Sequence, residues 1–161
     1  MRLMTKGEVR VGIVSGSQNI LCHTERIAGF SHTIAAYPNI RIVDTVNNND
    51  DDQISFTLTG KLLEDHPEIN AFYFTAGGVY GGCQAIEASA SKNDMIVITN
   101  DIVPRTREYM QKGLIAATIC QQPFQQGSLP LAILFAYLAT GEKPASENNY
   151  VDVDIRIREN L

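Results

Sequence analysis

The chain has 161 residues, of which 44% are hydrophobic and 19% charged, enough apolar content for one domain with a sizeable core. Thirteen Lys and Arg against 18 Asp and Glu give a net charge of −5 and a pI near 5.1, which argues against nonspecific nucleic-acid binding by this segment. Cys22, Cys83 and Cys120 stand singly, without C-x-x-C spacing, which argues against a zinc site and fits reduced structural thiols in a cytosolic protein.

The first ten residues are polar and lack the apolar stretch of a secretory signal. The longest apolar run, Leu129 to Ala139, is too short to span a bilayer. A soluble, cytoplasmic protein is expected. Strand and helix patterns then alternate. Val9 to Ser15 is a near-continuous apolar run, as in a strand covered on both faces. Leu21 to Tyr37 has helical spacing, with Ile27, Phe30, Ile34 and Ala35 on one side. A strand is predicted over Ile40 to Val46. The polar run 47–52 signals a helix start, and Gln53 to Asp65 follows, with Ile54, Leu58, Leu62 and Leu63 expected inward. Asn70 to Thr75 reads as a strand, Gly78 to Ala90 as a helix and Met95 to Asn100 as a fourth strand. Pro104 to Lys112 is helical, with Pro104 in the first turn where proline is tolerated. Leu114 to Ile119 is a fifth strand and Phe124 to Thr140 a long apolar helix. Tyr150 to Arg158 alternates strictly, as a half-exposed edge strand does. Five βα units and a terminal strand predict an α/β fold, a three-layer α/β/α open parallel sheet.

In such a sheet, ligands bind outside the carboxyl ends of the strands. Asp101 and Gln121 stand at two such ends. A carboxylate and an amide aimed into one crevice can hold a small polyhydroxylated molecule by hydrogen bonds. The plainer reading makes Asp101 the N-cap of the next helix. Arg26 and His23 lie near the first strand's end. Arg26 either presents its planar fork to the crevice or is a solvated surface arginine. His23 is a weaker candidate for ligand contact, with local capping or surface exposure as its plainer reading. The run 47–52 reads as a capping turn, with one of Asp50 or Asp51 facing the crevice. Ala76 and Gly77 open the third helix, where backbone N–H groups can approach a ligand or simply form a tight turn. The D-x-[DN]-x-[DN]-G calcium pattern, G-x-G-x-x-G, a P-loop, G-x-S-x-G and H-E-x-x-H are all absent from the sequence. No catalytic residue, metal site or cofactor is predicted, and the protein is read as a non-enzyme.

Three blocks resemble the effector-binding domain of LacI/GalR-family transcriptional regulators, which shares its fold with periplasmic sugar-binding proteins. They are His23-Thr-Glu-Arg-Ile-Ala-Gly-Phe30, Val97-Ile-Thr-Asn-Asp101 running to Gly113, and Ala116-Ala-Thr-Ile-Cys-Gln-Gln-Pro123. Leu138 to Pro144 and Val153 to Asn160 also look like that family's C-terminal end. The resemblance implies that Arg26, Asp101 and Gln121 contact a sugar. It has two departures. Thr75-Ala76-Gly77-Gly78 replaces an Asn-Asp pair, and Asp50-Asp51 stands where many members carry an aromatic. A more polar site with less ring stacking would suit a ligand other than a simple hexose.

The implied protein is a sugar-responsive repressor. Its binding of a sugar or sugar-like effector would shift the affinity of a DNA-binding domain absent from this chain. The chain looks like the second of two lobes: 1–8 an N-terminal extension, 9–123 the ligand-binding lobe, and 124–161 a helix and strand that pack on a missing first lobe. The helix would then expose Leu131, Leu134, Phe135 and Leu138, so the chain is expected to form a homodimer or to pack this helix in a compensating way. No membrane partner is expected. One alternative is the solute-binding protein of a sugar ABC transporter. A second, a small flavodoxin-like enzyme or receiver, is disfavoured by Ser15, Gly16 and Thr75 where a receiver carries acids.

Overall fold

The computed structural model describes residues 1, 7–89 and 95–161. Its elements run β1 (Val9–Ser15), α1 (Leu21–Ile34), β2 (Ile40–Asn47), α2 (Asp52–Asp65), β3 (Ala71–Phe74), α3 (Val79–Ala88), β4 (Ile96–Asn100), α4 (Pro104–Gln111), β5 (Ile115–Cys120), α5 (Pro123–Thr140) and β6 (Asp154–Arg156). The strands form one sheet in the order β2-β1-β3-β4-β5-β6. The first five are parallel, and β6 joins β5 antiparallel. The α/β architecture expected from the alternating pattern is therefore present, edge strand included.

Alternation along each strand splits the core into two layers, because successive side chains point to opposite faces. Val14, Phe72, Phe74, Val97 and Ile115 meet Leu62 of α2, Ile86 of α3 and Met110 of α4. Val9, Val11, Ile13, Ala71 and Tyr73 meet Ile27, Phe30 and Ile34 of α1 on the other face. The ends of β1 and β3 are thereby held from both sides, and the loops beyond them inherit a rigid base.

Several local expectations change. The first helix stops at Ile34 rather than Tyr37, and Ala35 is exposed in the turn that follows. On α2 the inward positions are Ser55, Thr59 and Leu62, while Ile54 is exposed. Small hydroxyl residues sit inward because the start of α3 approaches α2 closely: a Cβ on Gly78 would stand 3.0 Å from Ser55 Cβ. The third helix starts at Val79 and ends at Ala88; the predicted end at Ala90 lies outside the described residues. The terminal strand is three residues long, the length over which it pairs with Thr118 to Cys120 of β5. None of α5 is buried. Its Leu131, Phe135 and Leu138 are exposed, so the compensating packing expected of this helix is not found among the described residues.

Candidate functional site

The strand order reverses between β1 and β3, β2 lying to one side of them and β4 and β5 to the other. A crevice opens at such a reversal, where consecutive connections leave on opposite faces of the sheet. A cavity of about 450 Å3 lies there, lined among others by His23, Arg26, Asp50, Gly77, Tyr80 and Asp101. That volume falls in the range of small-molecule sites.

Its floor is fixed by backbone-directed hydrogen bonds. Asn48, fully buried, donates through Nδ2 to the Gly77 carbonyl at 2.9 Å and accepts the Asp50 N–H on Oδ1 at 2.9 Å. Asp50 Oδ1 in turn accepts the Gly77 N–H at 2.7 Å. The ends of β2 and β3 are thus closed into one ring by Asn48, Asp50 and Gly77. Asp50 holds a left-handed backbone (φ 62°) to make this possible, a conformation unusual outside glycine. Its other oxygen lies beside Gly16 and His23. A Cβ on Gly16 would stand 2.7 Å from Asp50 Oδ2 and 2.5 Å from His23 Cε1. The glycine leaves the room these two side chains fill. The residue beside Asp50 takes the expected capping role: Asp51 Oδ1 accepts the Ile54 N–H at 2.8 Å.

Three readings are corrected here. His23 is neither exposed nor a cap of the usual kind. It is 7% exposed, with Nδ1 3.2 Å from the Ser17 carbonyl, so its ring is part of the cavity wall. Asp101 does not cap α4, whose N-cap is Val103 with no side-chain cap bond. Instead Asp101 turns in the left-handed region (φ 65°), and its Oδ2 accepts from Gln121 Nε2 at 2.8 Å. Its carbonyl accepts from the buried Thr118 hydroxyl at 2.9 Å. Arg26 is tied inward rather than solvated, donating through Nη1 to the Thr75 carbonyl at the end of β3. Ala76 and Gly77 line the cavity as expected. Gln121 does not line it; it stands behind Asp101 and borders a separate space along α5.

Sequence reasoning missed a second set. Asn100, 8% exposed, spends its amide on the Phe74 carbonyl (3.0 Å) and the Tyr73 hydroxyl (3.3 Å), locking β4 to β3 beneath the cavity. At the rim, Arg105 lies 4.2 Å over the Tyr80 ring with Nη1 3.5 Å from Asp52 Oδ2. Asn100 could have been found as a strand-end polar residue next to Asp101. The Arg105 cluster joins three separate helices and carries no local signal. Among the described residues no group of acids, histidines and cysteines is placed to hold a metal ion. The wall therefore offers hydrogen-bond acceptors on Asp50 and Asp101 and donors on Arg26, a set that recognises hydroxyl groups.

Comparison with known proteins agrees with this geometry. The family model described as a periplasmic binding protein domain matches residues 1–143. Among solved structures, a glucose-galactose binding protein, GanP, from Geobacillus stearothermophilus is 27% identical with a TM-score of 0.91. An arabinose binding protein, AraP, from the same organism is 27% identical with a TM-score of 0.84. A sugar-binding protein of a sugar ABC transporter from Bacillus halodurans is 26% identical with a TM-score of 0.86. Each match covers 99% of this chain, and the chain spans 56%, 57% and 58% of those three proteins respectively. With a family model covering most of its length and a cavity at the sheet's reversal point, the chain belongs to the periplasmic binding protein domain family.

Proposed function

We propose that this chain is one lobe of a two-lobed sugar-binding protein and binds its ligand without chemical conversion. The observation that carries the reading is the convergence of Arg26, Asp50 and Asp101 on one cavity at the reversal of strand order. The ligand is a monosaccharide or a related polyol whose hydroxyls donate to Asp50 and Asp101 and accept from Arg26. Gln121 acts behind Asp101, holding its carboxylate. Tyr80 is the one Phe, Tyr or Trp side chain lining the cavity among the described residues, and Arg105 covers a face of its ring. Ring stacking from this lobe is therefore limited, and polar contacts dominate its share of recognition.

Two settings fit such a lobe. The similarity to GanP, AraP and the Bacillus halodurans protein supports a solute-binding component of a sugar transporter. The blocks around Arg26, Asp101 and Gln121, together with three unpaired thiols, support the second setting, the cytoplasmic sensor of a transcriptional regulator joined to a DNA-binding domain. The parent reading frame separates them: a signal peptide before a first lobe gives the receptor, a helix-turn-helix gives the regulator.

The binding reading is tested by calorimetry on the two-lobed parent with D-glucose, D-galactose and L-arabinose. Asp101→Ala is expected to weaken any sugar that binds by about 10- to 100-fold, the worth of a hydrogen bond to a charged group. Unchanged affinity in both Asp101→Ala and Arg26→Ala would move the site elsewhere.

A further inference from the structure

The connection from β5 to α5 carries more hydrogen bonding than a turn requires. Gln121 Nε2 donates to Asp101 Oδ2 at 2.8 Å, and Gln126 Nε2, in the first turns of α5, donates to the Gln121 carbonyl at 2.7 Å. Gln122 takes a left-handed backbone (φ 53°), and its Nε2 donates to Asp154 Oδ2 at 2.7 Å. Arg156 Nη2 reaches the same oxygen at 3.1 Å. Two non-glycine residues in the left-handed region, Asp101 and Gln122, thus stand at either side of Gln121 in one bonded chain. Such conformations persist where the surroundings over-determine them. Here the surroundings are these side-chain bonds, because α5 has no buried residue to anchor the joint.

We infer that Gln122 and Asp154 are positioning residues for the cavity. Neither lines it. By fixing the backbone at the β5–α5 joint they set where the Gln121 amide stands. That amide occupies Asp101 Oδ2 and turns the other carboxylate oxygen to one orientation. A carboxylate held this way has less freedom to lose on binding. The inference rests on Asp101 being a ligand-contacting group.

The test is two-dimensional NMR of the whole protein without sugar, following the Gln121 side-chain amide and the exchange of backbone amides. Asp154→Ala is expected to move the Gln121 side-chain signal toward that of free glutamine. It should also speed exchange about tenfold or more at Gln126 and Asp101, whose N–H groups bond to the Gln122 and Ile119 carbonyls, while β1 and β3 stay protected. Asp154→Asn keeps an acceptor for Gln122 and should restore the wild-type pattern. Gln122→Gly keeps the backbone conformation but loses the side chain, and should repeat the alanine effect. Change at Gln126 with none at Gln121 or Asp101 overturns the inference. So does a rise spread equally over β1 and β3, which general unfolding would produce. No sugar enters the measurement, so its failure is separable from failure of the sugar-binding reading, which calorimetry decides.

Discussion

Asn48 is one of six consecutive Asn and Asp residues, yet it is fully buried and spends both ends of its amide on Gly77 and Asp50. Asn48→Ala would strand the Gly77 carbonyl and the Asp50 N–H, and is expected to cost about 2–4 kcal/mol in urea unfolding. Gly78 packs against the same amide with φ at +77°, and a Cβ there would collide with Asn48 Nδ2. Gly78→Ala is expected to destabilise by about 2–4 kcal/mol, from the left-handed backbone and the overlap together. Thiol labelling provides a separate check at this scale. Burial, reinforced by Glu87 and Asp52, pushes the Cys83 thiol far up, and the side chain is inaccessible. Cys22 is exposed. An aromatic disulfide reagent should label Cys22 in the native protein and reach Cys83 only on unfolding. Rapid native labelling of Cys83 would mean that α3 opens locally.

Among the elements, those with long apolar runs were legible in the sequence, because burial on both faces leaves little room for another reading. β1 and β3 are the plain examples, with Val11, Ile13, Phe72 and Phe74 all fully buried. The face of α2 was not legible. Counting apolar residues favours Ile54, but the close approach of α3 admits only Ser55 and Thr59. The cap of α4 failed for a related reason. An aspartate before a helix reads locally as a cap, whereas the partner that claims Asp101 is Gln121, 20 residues away. Position at the strand end was readable for Arg26, Asp50, Ala76, Gly77 and Asp101, while the bonds that hold the site together are long-range. Helix α4 gives the element-scale test: Met110 is fully buried in the larger core layer, and Met110→Ala is expected to cost about 2–5 kcal/mol. Leu131→Ala on exposed α5 should change monomer stability by no more than about 0.5 kcal/mol.

For the whole molecule, the unequal layers matter most. Helices α2, α3 and α4 cover one face of the sheet, α1 packs on the other, and α5 stands off with Phe124, Leu131, Phe135 and Leu138 in solvent. An apolar stripe of this kind drives association when its partner surface is absent. Light scattering on this 161-residue chain is expected to give twice its 17.7 kDa mass, and Phe135→Asp with Leu138→Asp should return it to the monomer. A monomer across the accessible concentration range in the unmutated chain would sink that expectation.

The late arrival of β6 has a consequence for how the chain is made. Strand β5 is complete at Cys120, but among the described residues its outer edge is paired only by Asp154 to Arg156. During synthesis that edge, with its unpaired N–H and C=O groups, stays open while the whole of α5 and the segment after it emerge. An open edge is a template for pairing with another nascent chain. The three residues of β6 therefore cover this edge of β5, and truncation before Asp154 should show itself first as aggregation on expression rather than as a lost cavity.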